Sequence, residues 1–112
     1  MATMYKIALV CEHGASTGMC VVKMTKAAEK LGIKSDIAAY STYKLENIID
    51  EMDCILLGPQ LKYKLDSIKN KFPDHAAKIT VVNSMDFGKM DGEKILRDVI
   101  AFIEGKMKKE ET

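Results

Sequence analysis

Ile7-Ala8-Leu9-Val10-Cys11-Glu12-His13-Gly14-Ala15-Ser16-Thr17-Gly18-Met19-Cys20 is the stretch on which the reading of the whole chain turns. Four apolar residues run into a thiol, and small residues then lead into helical spacing. Residues 5–10 read as a short strand buried on both faces, because the apolar run does not alternate. From Ser16 onward, Cys20, Met24, Ala27 or Ala28, and Leu31 recur at helical steps, which predicts a helix ended by Gly32. Between strand and helix, Gly14, Ala15, Ser16, Thr17 and Gly18 carry little side-chain bulk. Their backbone N–H groups are expected to turn inward as a concave nest for an anion, backed by the positive end of the helix. Cys11 then stands beside a phosphate-sized hollow whose donors favour a thiolate. The competing reading makes it a small hydrophobe closing a buried strand.

The neighbours of Cys11 each carry two readings. Glu12 brings a negative charge to the site unless its side chain points away. His13 is a surface imidazole, or a cation that favours the thiolate and donates to a phosphoryl oxygen. Ser16 and Thr17 serve as helix N-caps and also as phosphate donors. Cys20 lies on the apolar stripe of the first helix and Cys54 in an apolar strand, so both read as packing residues; Cys20 as a resolving thiol for Cys11 is the lesser alternative.

Outward from this stretch, strands and helices alternate. Residues 34–40 predict a second strand, and residues 42–51 a short helix with Leu45, Ile48, Ile49 and Met52 on one side. Cys54-Ile55-Leu56-Leu57, stopped by Gly58, marks a third strand over residues 53–57. Pro59 fits the first turn of the helix that follows, since its missing N–H has no intrahelical partner there. Leu61, Leu65, Ile68 and Phe72 form its stripe, and Pro73 closes it. Residues 79–82 predict a fourth strand, residues 83–92 a loop with a turn of helix, and residues 92–108 a last helix burying Ile95, Val99, Phe102 and Ile103. His75 reads as a surface loop residue.

Four such alternations predict an α/β fold: a four-stranded parallel sheet of order 2-1-3-4, helices on both faces in three layers, and a phosphatase-like loop after strand 1. Ligands of such sheets bind beyond the carboxyl ends of the strands, where the winding switches. That edge gathers the Cys11 loop, Gly58-Pro59-Gln60, Tyr40 and the 83–88 loop with Asp86. Met19 is expected to ring it, and Tyr63 either reaches it or lies in solvent.

The 112 residues suit a single domain, with residues 1–3 and 109–112 frayed. Seventeen basic against sixteen acidic residues leave a net charge of +1, without the basic face that nucleic-acid binding requires. Three cysteines without CxxC spacing, and no signal peptide, point to a reducing cytoplasm. No apolar run is long enough to insert in a membrane. Two isolated histidines argue against a metal site, and the eight scattered methionines read as core filler.

Three motifs occur in order: Cys11-x-x-Gly14-x-Ser16-Thr17, Ile55-Leu56-Leu57-Gly58-Pro59-Gln60-x-x-Tyr63, and Ser84-x-x-x-Gly88-Lys89-Met90-Asp91-Gly92. Together they resemble the enzyme IIB component of the bacterial phosphotransferase system, lactose/cellobiose (chitobiose) class, over residues 5 to 106. The resemblance implies a phosphocysteine at Cys11, loaded from a phosphohistidine on an enzyme IIA partner. The group would pass to a sugar, a β-linked disaccharide such as cellobiose, chitobiose or lactose, held by a membrane enzyme IIC. It implies no cofactor. Ala15 stands where that family usually has Met, and Gly18 where Ser is common.

Two alternatives stand beside it. Low-molecular-weight tyrosine phosphatases and arsenate reductases share this kind of fold, but that resemblance calls for an arginine where Thr17 stands, and Arg97 is the first arginine in the chain. Their general acid sits in an Asp-Pro pair, whereas Pro59 follows Gly58 and Pro73 follows Phe72. A non-catalytic regulatory relative would keep the fold and dispense with the thiol.

Overall fold

A computed structural model describes residues 4–12 and 14–111, the side chains of residues 14–17 and 106–111 excepted. Strands β1 (Tyr5–Cys11), β2 (Ser35–Ser41), β3 (Cys54–Leu57) and β4 (Ile79–Val81) form one parallel sheet of order β2-β1-β3-β4. This is the order predicted from the alternation of elements. Helix α1 spans Gly14–Leu31. The segment after β2 winds through a 3-10 turn at Thr42–Lys44, α2 at Leu45–Ile48 and a second turn at Ile49–Glu51. After β3, Pro59 opens a 3-10 stretch to Lys64 that continues as α3 (Leu65–Lys71). Helices α4 (Ser84–Gly88) and α5 (Gly92–Glu111) complete the chain.

The central strands separate two apolar layers. Ile7 and Leu9 of β1, with Cys54 and Leu56 of β3, face Cys20, Met24 and Ala28 of α1 and Ile95, Leu96 and Val99 of α5. Ala8 and Val10, with Ile55 and Leu57, face Leu45, Ile49 and Leu61 on the other side. Residues 7–10 are fully buried, which explains why they read as a continuous apolar run rather than an alternating one. Among the described residues no helix is long and apolar enough to cross a membrane.

The element ends differ from expectation in instructive ways. β1 extends through Cys11, because Cys11 still pairs with Ser41 in the ladder. α1 begins at Gly14 rather than Ser16, so residues 14–18 belong to the helix rather than to a loop. Small residues that read as loop include Ala15, a strong helix former, and they wind once the end of β1 is fixed. α5 runs to Glu111, past the end expected near residue 108, since no glycine or proline after Gly105 stops it. Residues 1–3 and 112 lie outside the described residues. Gly32 adopts φ +70° and ends α1 as expected, with the Ile33 N–H donating to the Ala28 carbonyl at 2.9 Å.

Residues 73–78 form a 3-10 turn rather than an open loop. His75 is not a lone surface residue: its Nε2 lies 2.6 Å from Asp50 Oδ1 and its side chain is largely covered. Lys78, next to the start of β4, is buried and donates to the Met52 carbonyl at 2.8 Å. Neither contact has a local sequence signature, because the partners belong to separate turns that meet only when the sheet forms.

Candidate functional site

Cys11 closes the central strand at its carboxyl end. The alternation that turns Ile7 and Leu9 toward α1 and α5 also directs Cys11 to that side, beneath the start of α1. A helix leaves the N–H groups of its first turn without intrahelical acceptors, so the backbone at Gly14–Thr17 presents donors at this end of the sheet. Cys11 is 3% exposed. His13 lies outside the described residues, as do the side chains of Ala15, Ser16 and Thr17. Gly18 falls within α1, in its second turn.

Gly58 abuts the thiol. Its N–H donates to the Val10 carbonyl at 2.9 Å, and a Cβ placed on it would fall 3.8 Å from the Cβ of Cys11. Its φ of −61° suits any residue, so the missing side chain matters for space rather than for conformation. The same imagined Cβ would meet Gln60 Oε1 at 2.6 Å, so the Gln60 side chain folds back over Gly58. The order of the strands thus brings the Gly58–Gln60 corner to the strand end that carries Cys11.

Other expected edge residues are distributed differently. Tyr40 pairs with Val10, and that register turns its ring to the opposite face, against the layer of Leu45 and Leu61. Ser41, paired with Cys11, takes the place on the thiol's side. The strand alternation carried this signal, since a one-residue shift changes the face. Asp86 turns toward α5, where Lys94 Nζ sits 3.3 Å from its Oδ2. Its neighbour Met85 is 67% exposed. Met19 is 52% exposed and Tyr63 is 75% exposed, so both lie in solvent. At the same edge a cavity of about 260 Å³ opens between Pro59, Lys62, Asn83 and Ser84.

The Glu12 side chain reaches the 3-10 stretch that follows β3. Its Oε1 accepts a hydrogen bond from Lys64 Nζ at 2.6 Å, across the sheet end from the α1 side. That hydrogen bond, first among several causes, raises the Lys64 pKa above its ordinary 10.5. Lys64 Nζ also lies 5.6 Å from the Tyr63 ring centroid. Sequence reasoning did not single out Lys64, because nothing local ties it to a residue 52 positions earlier. Cys20 and Cys54 are fully buried, in keeping with packing roles. Burial pushes the Cys20 thiol up to about 11.

A parallel α/β sheet with a thiol at its switch point, beneath a helix start, defines a class of small proteins that handle anions at the strand ends. The chain belongs to the lactose/cellobiose-specific IIB subunit family of the phosphotransferase system: the family model described as "PTS system, Lactose/Cellobiose specific IIB subunit" matches residues 6–98. It is similar to the galactose-specific EIIB component of Lactococcus lactis subsp. cremoris (strain MG1363), at 35% identity over 80% of this chain and 88% of that one. The oligo-beta-mannoside-specific EIIB component of Bacillus subtilis (strain 168) is 27% identical over 89% of this chain and 97% of its own. Among solved structures, the cellobiose-specific phosphotransferase IIB component of Borrelia burgdorferi superposes with a TM-score of 0.78, at 31% identity. That match covers 93% of this chain and 95% of that one. The chain is therefore a sugar-phosphotransfer component of this system, and components of its kind work with IIA and IIC partners.

Proposed function

We propose that Cys11 is the phosphoryl acceptor, and that the chain carries the group in the cytoplasm from a IIA phosphohistidine to a sugar held by a membrane IIC partner. The observation that carries this reading is the position of Cys11: the last residue of a central strand, next to the start of α1 and flanked by Gly58. In the first step the Cys11 thiolate attacks phosphorus in line. The S–P bond forms as the P–N bond breaks, and the imidazole nitrogen keeps the electron pair. In the second step a sugar hydroxyl attacks the same phosphorus, loses its proton to solvent or a neighbouring base, and the S–P bond returns its electrons to sulfur. The backbone donors at the start of α1 hold the equatorial oxygens, so catalysis is mainly positioning. Because Cys11 is 3% exposed, the residues over it must yield as a partner docks.

Glu12 through Gly18 form the phosphate-binding segment in this reading. Met19, Met85 and Tyr63 are exposed and suit a small, transient partner contact. The sugar is a β-linked disaccharide, a choice supported by the lactose/cellobiose description of the family and the cellobiose-specific relative from Borrelia burgdorferi.

Incubation with a phosphorylated IIA protein, followed by intact-mass measurement, tests the reading. One added phosphoryl group is expected on the parent chain and none on Cys11→Ser, whose circular dichroism stays that of the parent. Labelling that survives in Cys11→Ser would move the acceptor elsewhere. Adding membranes with the cognate IIC and a panel of disaccharides should discharge the label only with the β-linked sugar.

A further inference from the structure

We infer that Lys64 is a positioning residue of the phosphotransfer site: by pairing with Glu12 it neutralises the one carboxylate tethered directly to Cys11 and holds it off the incoming phosphoryl group. The inference rests on Cys11 as acceptor. A phosphoryl group carries nearly two negative charges near neutral pH. Consecutive Cα atoms are about 3.8 Å apart, so the Glu12 backbone cannot leave the neighbourhood of the sulfur. Its side chain can leave in only two senses, by direction and by charge, and the fold uses both. The segment that carries Lys64 packs through Leu61 and Leu65 on the layer opposite Cys11's face, and there Lys64 Nζ meets the Glu12 carboxylate at 2.6 Å.

Lys64 suits this task rather than one in folding. Both side chains of the pair are 40% exposed, and an exposed ion pair adds little to stability. The lysine borders an open groove of about 460 Å³ with Thr42, Glu46 and Lys71, so it is not wedged into the core. It is nonetheless steadied, by the Tyr63 ring on one side and by its place at the junction of the 3-10 stretch with α3. That stretch starts at the Gly58–Pro59 corner beside Cys11, so one continuous segment supplies both the thiol's neighbour and the cation that covers Glu12.

A double-mutant cycle on the rate of phosphoryl acceptance from phosphorylated IIA tests this. Lys64→Met is expected to slow acceptance about three- to tenfold at low ionic strength, with the deficit shrinking as salt rises. In a Glu12→Gln background the same substitution should slow it by less than about twofold, because no carboxylate remains to be covered. Thermal midpoints of all four chains should agree within a few degrees. Equal slowing in both backgrounds would overturn the inference, since Lys64 would then act on the donor protein or on the phosphoryl group itself. No slowing in the parent background would overturn it as well. Failure of the parent chain to label, or labelling of Cys11→Ser, would count instead against Cys11 as the acceptor.

Discussion

Cys20 differs from Cys11 in what surrounds its sulfur. It sits wholly inside the layer between the sheet and α1, and burial holds its proton to about 11 against an ordinary thiol value of 9.0. The folded state therefore keeps a proton that the unfolded chain gives up at lower pH. The resulting stability is fully present below about 9.0 and is lost as pH rises through about 11. We expect the urea midpoint to fall across that window and the fall to be shallower in Cys20→Ala, even though the variant starts from a lower baseline because it leaves a cavity. Parallel slopes for the two chains would contradict this. Cys20's packing role was legible from helical spacing alone. The surroundings of Cys11 were only half legible. Gly58 abuts it on the edge the sequence pointed to, whereas Tyr40 on that edge turns to the opposite face and Ser41 pairs with Cys11, because one residue of register decides which face a strand residue takes.

Among the elements, the crossing of α1 and α5 sets the thickness of the layer over Cys11's side of the sheet. Gly92 begins α5 against the backbone of α1: a Cβ there would fall 2.5 Å from the Lys23 carbonyl oxygen and 2.7 Å from the Lys23 Cβ. Backbone atoms inside a helix cannot yield as the end of a flexible side chain can. Gly92→Ala should therefore cost about 1–3 kcal/mol, measured as a lowered thermal midpoint, and a neutral result would mean the helices separate freely. The sequence marked Gly92 as part of a motif and as a helix start, while its steric reason lies in α1. The short helices tell a similar story. Asn83 Oδ1 accepts from the Met85 and Asp86 N–H groups at 2.9 and 3.0 Å, and Asp91 Oδ1 accepts from the Lys94 N–H at 3.1 Å. These are local caps of the kind sequence can suggest. The start of α1 at Gly14 is set by where β1 lets go, which local composition did not reveal.

At the scale of the molecule, a sheet whose two inner strands are covered on both faces should be the last part to open. Amides of residues 7–10 and 55–57 are expected to exchange with deuterium only through global unfolding. Two-dimensional NMR after transfer to heavy water checks this, and rapid exchange in β1 would show that the site's supporting strand is not rigid. The same burial explains why the site can be exact in place yet almost covered. Cys11 ends the strand for which this slow exchange is expected.

By itself the sequence determined the four strands, which follow from patterns confined to about ten to twenty neighbouring residues, and their parallel order with the thiol at the switch point, which follows from the alternation of strands and helices along the chain. Tertiary structure alone decided that Glu12 meets Lys64, that Asp86 turns to Lys94, and that His75 finds Asp50. Most of these partners lie far apart in the chain. They meet through register and helix placement, which depend on how whole faces pack rather than on any local run of residues.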